Sequence, residues 1–246
     1  SCYLIQVDAQ QSLPQPIVVE GHTMGTSYRV LYFDEPRKRD FSDAIDSLLV
    51  EVNKGINTYD EASEITRFNK SKDGIENTCG FLNDIIRRSK VIHEKSGGAF
   101  DPTVMPLVNA WGFGPEKGLV LPATKVDSLK ASIGFDKVKL SRRKIRKTNP
   151  LTQLDMGGIG QGYGADVIAK FLSSKGISDL LVELGGEGVA LGTNLHKQKP
   201  WTIGILDPQS TREHQFYKAY VTMSDQAFTT SGNYFNYKVI NGRKYG

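Results

Sequence analysis

The chain has 246 residues, 39% of them hydrophobic and 24% charged, with a formal net charge of +4 at pH 7. That is an ordinary globular composition, enough for one large domain or two small ones, and so mild a basic excess argues against a nucleic-acid partner. No apolar run approaches the roughly 18 residues of a membrane span, Cys2 and Cys79 lack metal-site spacing and make no disulfide framework, and the four histidines contain no HExxH pair.

Ser1-Cys2 opens the sequence, and the first methionine is Met24. Cys2 reads either as the lipid-bearing residue of a lipoprotein or as an ordinary N-terminal cysteine. The stretch Gln6–Pro16 is rich in Gln and Pro and reads as a flexible lead-in. Strand-like runs follow at Ile17–Glu20 and Ser27–Phe33, with a Gly-bounded turn between them. Apolar residues at helical spacing predict helices over Phe41–Asn57, Phe81–Lys95 and Thr124–Ile133, and a short piece after Ser63. Gly97-Gly98 stops the Phe81 helix, and Ala99–Thr103 is extended because a residue before proline avoids helix. A basic run, Arg142, Arg143, Lys144, Arg146 and Lys147, lies between β-like stretches Lys137–Leu140 and Leu151–Leu154 and reads as a solvated turn. After a helix over Ile159–Leu172 come strands at Leu180–Leu184, Glu187–Leu191, Trp201–Leu206, Ala219–Met223, Ala227–Thr230 and Tyr234–Ile240. Helices early and strands late define an α+β fold: helices cluster in the first half, a mostly antiparallel sheet in the second. Asn241-Gly242 is a hairpin signal. A returning strand usually needs about 5–6 residues, so the chain is expected to continue beyond Gly246.

Five segments carry candidate chemistry. Leu154–Asp166, LDMGGIGQGYGAD, runs through glycines into a helix, a junction whose free N–H groups and helix dipole suit phosphate. Its spacing is not GxGxxG, because Tyr163 takes the place of the last glycine. Tight helix–sheet packing explains the glycines equally well. Asp101, in GAFDPT, and Asp155, at the end of an expected buried strand, are two carboxylates beside that anion site, a combination suggesting metal-assisted phosphoryl chemistry. An Asx-turn for Asp101 and a helix cap for Asp155 compete with that reading. Val182–Gly188 brings glycines that would let a flat ring lie close, or form a plain turn. Thr229–Tyr234 reads as a structural turn.

Taken together, GHTMGTSYRV, INTYDEASEITRFN, GGAFDPTVMPLVNAWGFG, LDMGGIGQGYGAD, VELGGEG, TTSGNYFNY and GRKYG resemble, in order, the motifs of the FAD:protein FMN transferases, the ApbE-like family. The resemblance covers Gly21 to Gly246. It implies a flavin transferase domain over residues 17–246, preceded by a lead-in over 1–16, with the FAD site between the helices and the sheet. It implies magnesium-dependent transfer of FMN from FAD to a Thr or Ser hydroxyl of an acceptor flavoprotein, with release of AMP. Met24, Tyr59, Ala99, Phe100, Asp101, Asp155 and Gln161 correspond to FAD-contacting positions, and Gly158 to a position whose backbone oxygen binds Mg²⁺. Gln161 stands where relatives often carry Lys or Glu. In the family a segment beginning with His follows the KYG-like stretch, and a later Asp and Thr complete the metal site; none of these lies in this sequence. Asp101 and Asp155 are the candidate catalytic carboxylates. The resemblance also implies the periplasmic side of a bacterial membrane, a lipid anchor at Cys2 and a membrane redox subunit as acceptor. Two rival functions are an FAD pyrophosphatase, in which water replaces the acceptor hydroxyl, and a non-enzymatic FAD-binding lipoprotein.

Overall fold

The computed structural model describes residues 12–76, 78–115, 123–211, 213–232, 238–240 and 242–245. Cys2, most of the Gln6–Pro16 lead-in, the start of the Tyr234–Ile240 strand and Asn241 lie outside the described residues. In chain order the elements are β1 (Ile17–Thr23), β2 (Thr26–Tyr32), α1 (Ser42–Ile56), α2 (Glu64–Lys70), β3 (Gly74–Glu76), α3 (Gly80–Lys95), α4 (Met105–Ala110), α5 (Ala123–Lys130), β4 (Val138–Ser141), β5 (Lys144–Lys147), α6 (Gly160–Ser174), β6 (Leu180–Leu184), β7 (Glu187–Leu191), β8 (Trp201–Leu206), β9 (Tyr217–Met223), β10 (Gln226–Thr229), β11 (Lys238–Ile240) and β12 (Arg243–Tyr245). Helices crowd the first half, and the strand pairs with an assigned register are antiparallel, as an α+β fold requires. Among the described residues no helix is long and apolar enough to cross a membrane.

The chain divides into two compact units. The strand unit comprises Ser1–Glu20, Tyr28–Asp40 and Ala169–Gly246. Its main sheet has the order β1-β2-β6-β7-β10, with β8–β9 and β11–β12 as separate pairs. Alternation creates its buried face: Tyr28, Val30 and Tyr32 of β2 lie opposite Leu184, Val182 and Leu180 of β6, and all six are buried. Burying each such side chain contributes about 1.5–3 kcal/mol. A smaller cluster joins Phe33, Ala190, Trp201 and Met223. There the Trp201 indole N–H donates to the Leu191 carbonyl at 2.9 Å, which satisfies the one polar atom of the buried ring. Next to β2, the buried Asp34 carboxylate takes two bonds from the Arg39 guanidinium, at 2.7 and 2.9 Å.

The helical unit comprises Gly21–Ser27 and Phe41–Ile168. One face each of α1, α2 and α3 supplies its core: Val52 and Ile56, Ile65 and Phe68, and Leu82, Ile85 and Ile86, joined by Phe135, Val138, Ile145, Leu154, Met156 and Tyr163. Helix α2 starts where Ser63 predicts, because the Ser63 hydroxyl caps it by accepting from the Thr66 N–H at 3.2 Å. The same hydroxyl donates to the Asn57 carbonyl at 2.6 Å and ties α2 to the end of α1.

Three expectations change here. The expected strand Ile17–Glu20 extends to Thr23, so the link to β2 shrinks to Met24-Gly25. Both turn residues have positive φ, 50° and 74°, as a two-residue loop between twisted strands demands. The basic run is not a solvated turn throughout: Lys144–Lys147 form β5 and pair with β4, and Lys147 is buried. The expected strand Leu151–Leu154 does not form. Gln153 makes one isolated parallel bridge to Val104, the Thr152 N–H donates to the Asn149 carbonyl, and side chains bind the Leu151 N–H, the Thr152 carbonyl and both backbone groups of Leu154.

Candidate active site

A cavity of about 360 Å³ lies within the helical unit. Its walls come from the β1–β2 turn (Met24, Gly25), the end of α1 (Asn53, Ile56), the following turn (Asn57, Thr58, Tyr59), α4 and its exit loop (Met105, Val108, Phe113, Gly114, Pro115), and the entry to α6 (Asp155, Met156, Gly157, Gly160, Gln161). The size suits a ring system or one end of a dinucleotide, at the lower end of the roughly 300–1,000 Å³ usual for ligand pockets.

Each wall has a local cause. Met24 occupies a left-handed conformation that a side chain seldom adopts, and strain of that kind clusters at ligand sites. The turn is held on α1 by the Asn53 amide, which donates to the Thr23 hydroxyl at 2.7 Å and to the Leu49 carbonyl at 2.8 Å. Tyr59 leaves the end of α1 through an Asx-turn, its N–H donating to Asn57 Oδ1 at 2.9 Å. The residue is 70% exposed, while its hydroxyl donates to the Phe113 carbonyl at 3.3 Å. An aromatic face thus stands open, fixed at its far end.

Asp155 sits where the chain turns into α6. Its Oδ1 accepts the Gly157 N–H at 2.8 Å, and its own N–H donates to the Pro102 carbonyl at 2.8 Å. The second bond, with the Val104–Gln153 bridge, lays the AFDPT segment alongside the segment that ends in Asp155. Asp101 is in an Asx-turn, as the competing reading has it: Oδ1 accepts from the Thr103 N–H at 2.8 Å and from the Thr103 hydroxyl at 2.6 Å. Its other oxygen lies 3.9 Å from His93 Nδ1, and that nitrogen is 2.8 Å from the Phe100 carbonyl. The Phe100 ring approaches Gly158, where a Cβ would meet it at 3.4 Å. Helix α6 is fixed to α3 one turn further on: the Tyr163 hydroxyl donates to Asp84 at 3.2 Å beneath the Arg88 guanidinium. Burial pushes the Tyr163 phenol well above its ordinary pKa, so it acts as a neutral donor.

Of the residues singled out in the sequence, Met24, Tyr59, Asp155 and Gln161 line the cavity together. Ala99, Phe100, Asp101 and Gly158 are not among its lining residues: the first three belong to the neighbouring segment joined to Asp155 through Pro102, and Gly158 lies between Asp155 and α6, against the Phe100 ring. Sequence reasoning missed the contribution of α4. Its signals were Pro106, which suits the first turn of a helix, and the loop WGFGP. It also missed Asn53 and Asn57, polar residues at the end of an otherwise regular helix.

Among the described residues, no three His, Cys, Asp or Glu side chains gather into a metal-binding group. Mg²⁺ needs fewer, because it takes one or two carboxylates and completes its octahedron with water and substrate phosphates. Asp155 and the Gly157–Gly158 turn offer oxygens of that kind beside the start of a 15-residue helix.

This combination of fold, cavity and glycine-rich helix entry belongs to a known class: residues 24–246 match the ApbE family, and the chain is a member of it. Among curated relatives, it is 33% identical to the FAD:protein FMN transferase of Haemophilus influenzae, covering 98% of this chain and 72% of that protein. It is also 33% identical to the FAD:protein FMN transferase of Vibrio cholerae, over 94% of this chain and 70% of that one. Among solved structures, the flavin transferase ApbE of Vibrio cholerae superposes with a TM-score of 0.80 at 32% identity, over 92% of this chain and 74% of that chain. The apo flavinyl transferase ApbE of Pseudomonas stutzeri gives 0.82 at 28% identity, over 95% and 73%.

Proposed function

We propose that this protein transfers FMN from FAD to a Thr or Ser hydroxyl of an acceptor flavoprotein. The observation that carries the reading is the cavity that gathers Met24, Tyr59, Asp155 and Gln161, in a chain whose relatives bear the name of that reaction. The open Tyr59 ring offers a flat isoalloxazine or adenine a stacking surface. Gly157, Gly158 and Gly160 carry no side chain at the entry to α6, so a pyrophosphate can come close to the positive end of that helix. The acceptor oxygen attacks the FMN-side phosphorus, a new P–O bond forms, the bond to the AMP phosphate breaks, and the hydroxyl proton is released. Bound Mg²⁺ would neutralise charge on the pyrophosphate, with Asp155 and the Gly158 carbonyl as its protein oxygens. Asp155 and Asp101 orient the site. Asp155→Ala should lower flavin transfer by about a hundredfold or more, the scale of a misplaced reacting group, read as covalent flavin fluorescence on the acceptor after denaturing electrophoresis. Transfer at the wild-type rate would remove Asp155 from the site.

The family resemblance also supports a place on the periplasmic side of a bacterial membrane, with Cys2 lipidated and a membrane redox subunit as the acceptor. Cys2→Ser should then leave the membrane fraction for the soluble one. A variant that stays membrane-bound would contradict the anchor.

A further inference from the structure

The segment that delivers Asp155 to the cavity has almost no sheet to hold it: among the described residues its one strand-like pairing is the Gln153–Val104 bridge. Two side chains take the place of a neighbouring strand. The Asn69 amide, in the last turn of α2, binds both backbone groups of Leu154: Oδ1 accepts the Leu154 N–H at 2.7 Å, and Nδ2 donates to the Leu154 carbonyl at 2.9 Å. Lys147 holds the segment one peptide earlier. Its ammonium donates to the Thr152 carbonyl at 2.9 Å and to the Asn69 carbonyl at 3.2 Å, and it lies 5.0 Å from the centre of the Phe68 ring. One cation therefore bridges the main chain of α2 to the main chain that leads to Asp155. An amide that copies the donor–acceptor pair of a β-strand holds one residue through both of its flanking peptides. The second of these peptides also carries the Asp155 N–H, which in turn is bonded to the Pro102 carbonyl.

We infer that Asn69 is a positioning residue for the flavin-transfer site, acting through Asp155, with Lys147 as the lock that keeps Asn69 and the Asp155 segment in register. The inference rests on the flavin-transferase reading for its catalytic consequence, whereas the clamp itself does not depend on it. Neither residue reaches the cavity walls, so their effect on turnover is indirect.

The test combines amide hydrogen exchange with a double-mutant cycle. In Asn69→Ala, the Leu154, Asp155 and Gly157 amides should lose protection while those of α1 and α3 keep theirs. In Asn69→Asp, which keeps the acceptor and loses the donor, the loss should be intermediate. Asn69→Ala should lower kcat/KM for flavin transfer by about tenfold, within the range for groups that orient a reacting residue. Added to Asp155→Ala it should lower the rate no further, because both changes remove one function. Protection lost evenly across the helical unit, or rate losses that multiply in the double variant, would reduce Asn69 to a purely structural role. Should wild-type protein fail to transfer flavin, the functional reading falls, and the exchange pattern alone decides whether the clamp exists.

Discussion

Asp155 shows how one side chain can satisfy local structure and still line a cavity. Its Oδ1 closes a turn onto the Gly157 N–H, as a capping aspartate would, yet the residue remains part of the cavity wall. Asp101 uses one oxygen in the same way and leaves the other near His93. For Asp155 the turn-forming role is compatible with a place on the cavity wall, whereas Asp101 forms its turn outside that wall. Met24 makes the opposite compromise, a strained residue where Asn or Gly would be at ease. Met24→Asn should raise stability by about 1 kcal/mol, since a left-handed non-glycine residue stores strain of that order, and should raise KM for FAD because the thioether wall is lost. Denaturant midpoints and flavin-transfer kinetics check the two halves separately. Away from the site, the Arg39 guanidinium holds the buried Asp34 carboxyl down to about 2, from 3.8. The folded state binds that proton less readily than the unfolded chain, so the pair stabilises above pH 3.8, and its contribution disappears as pH falls towards 2. Asn at this position cannot ionise: Asp34→Asn should be less stable at neutral pH and should flatten the acid side of the stability profile, measured by thermal melts across that range.

At the scale of elements, the cavity depends on short pieces that present backbone and small side chains. The loop after α4 is the clearest case. Gly114 lies so close to Asn109 that an added Cβ would sit 2.0 Å from Oδ1, and Asn109 is buried with that oxygen unpaired among the described residues. Gly114→Ala must therefore displace the Asn109 amide or shift the loop itself. It should raise KM for FAD by about tenfold, a loss of 1.4 kcal/mol in binding, with little change in melting temperature; an unchanged KM would show that the loop is not part of the binding wall. The main elements were legible in the sequence because each repeats its signal. Apolar residues every third or fourth position define α1 and α3, alternation defines β2 and β6, and Ser63 marks the start of α2. Helix α4 has only six residues, too few for a periodicity, and Leu151–Leu154 looks like a strand although side chains, not a neighbouring strand, hold it. Lys147 reads as one more surface cation until the fold places it over Phe68, where burial lowers it to about 8. Such placements depend on partners about 70–90 residues away in the chain, as Asn69 is from Leu154, and no local pattern records them.

At the scale of the molecule, the cavity belongs to the helical unit and is built from four separate stretches of it. This is why no single motif was decisive in the sequence, while the ordered set of them was. The order of the motifs implied a family, and the match over residues 24–246 establishes it. The chemistry within that family then turns on which nucleophile reaches the phosphorus. AMP release from FAD in the presence of Mg²⁺, measured with and without a Thr-containing acceptor protein, tests this most directly. Transfer predicts AMP that depends on the acceptor and appears in step with covalent flavin on it; equal AMP in both reactions, with free FMN, would contradict it.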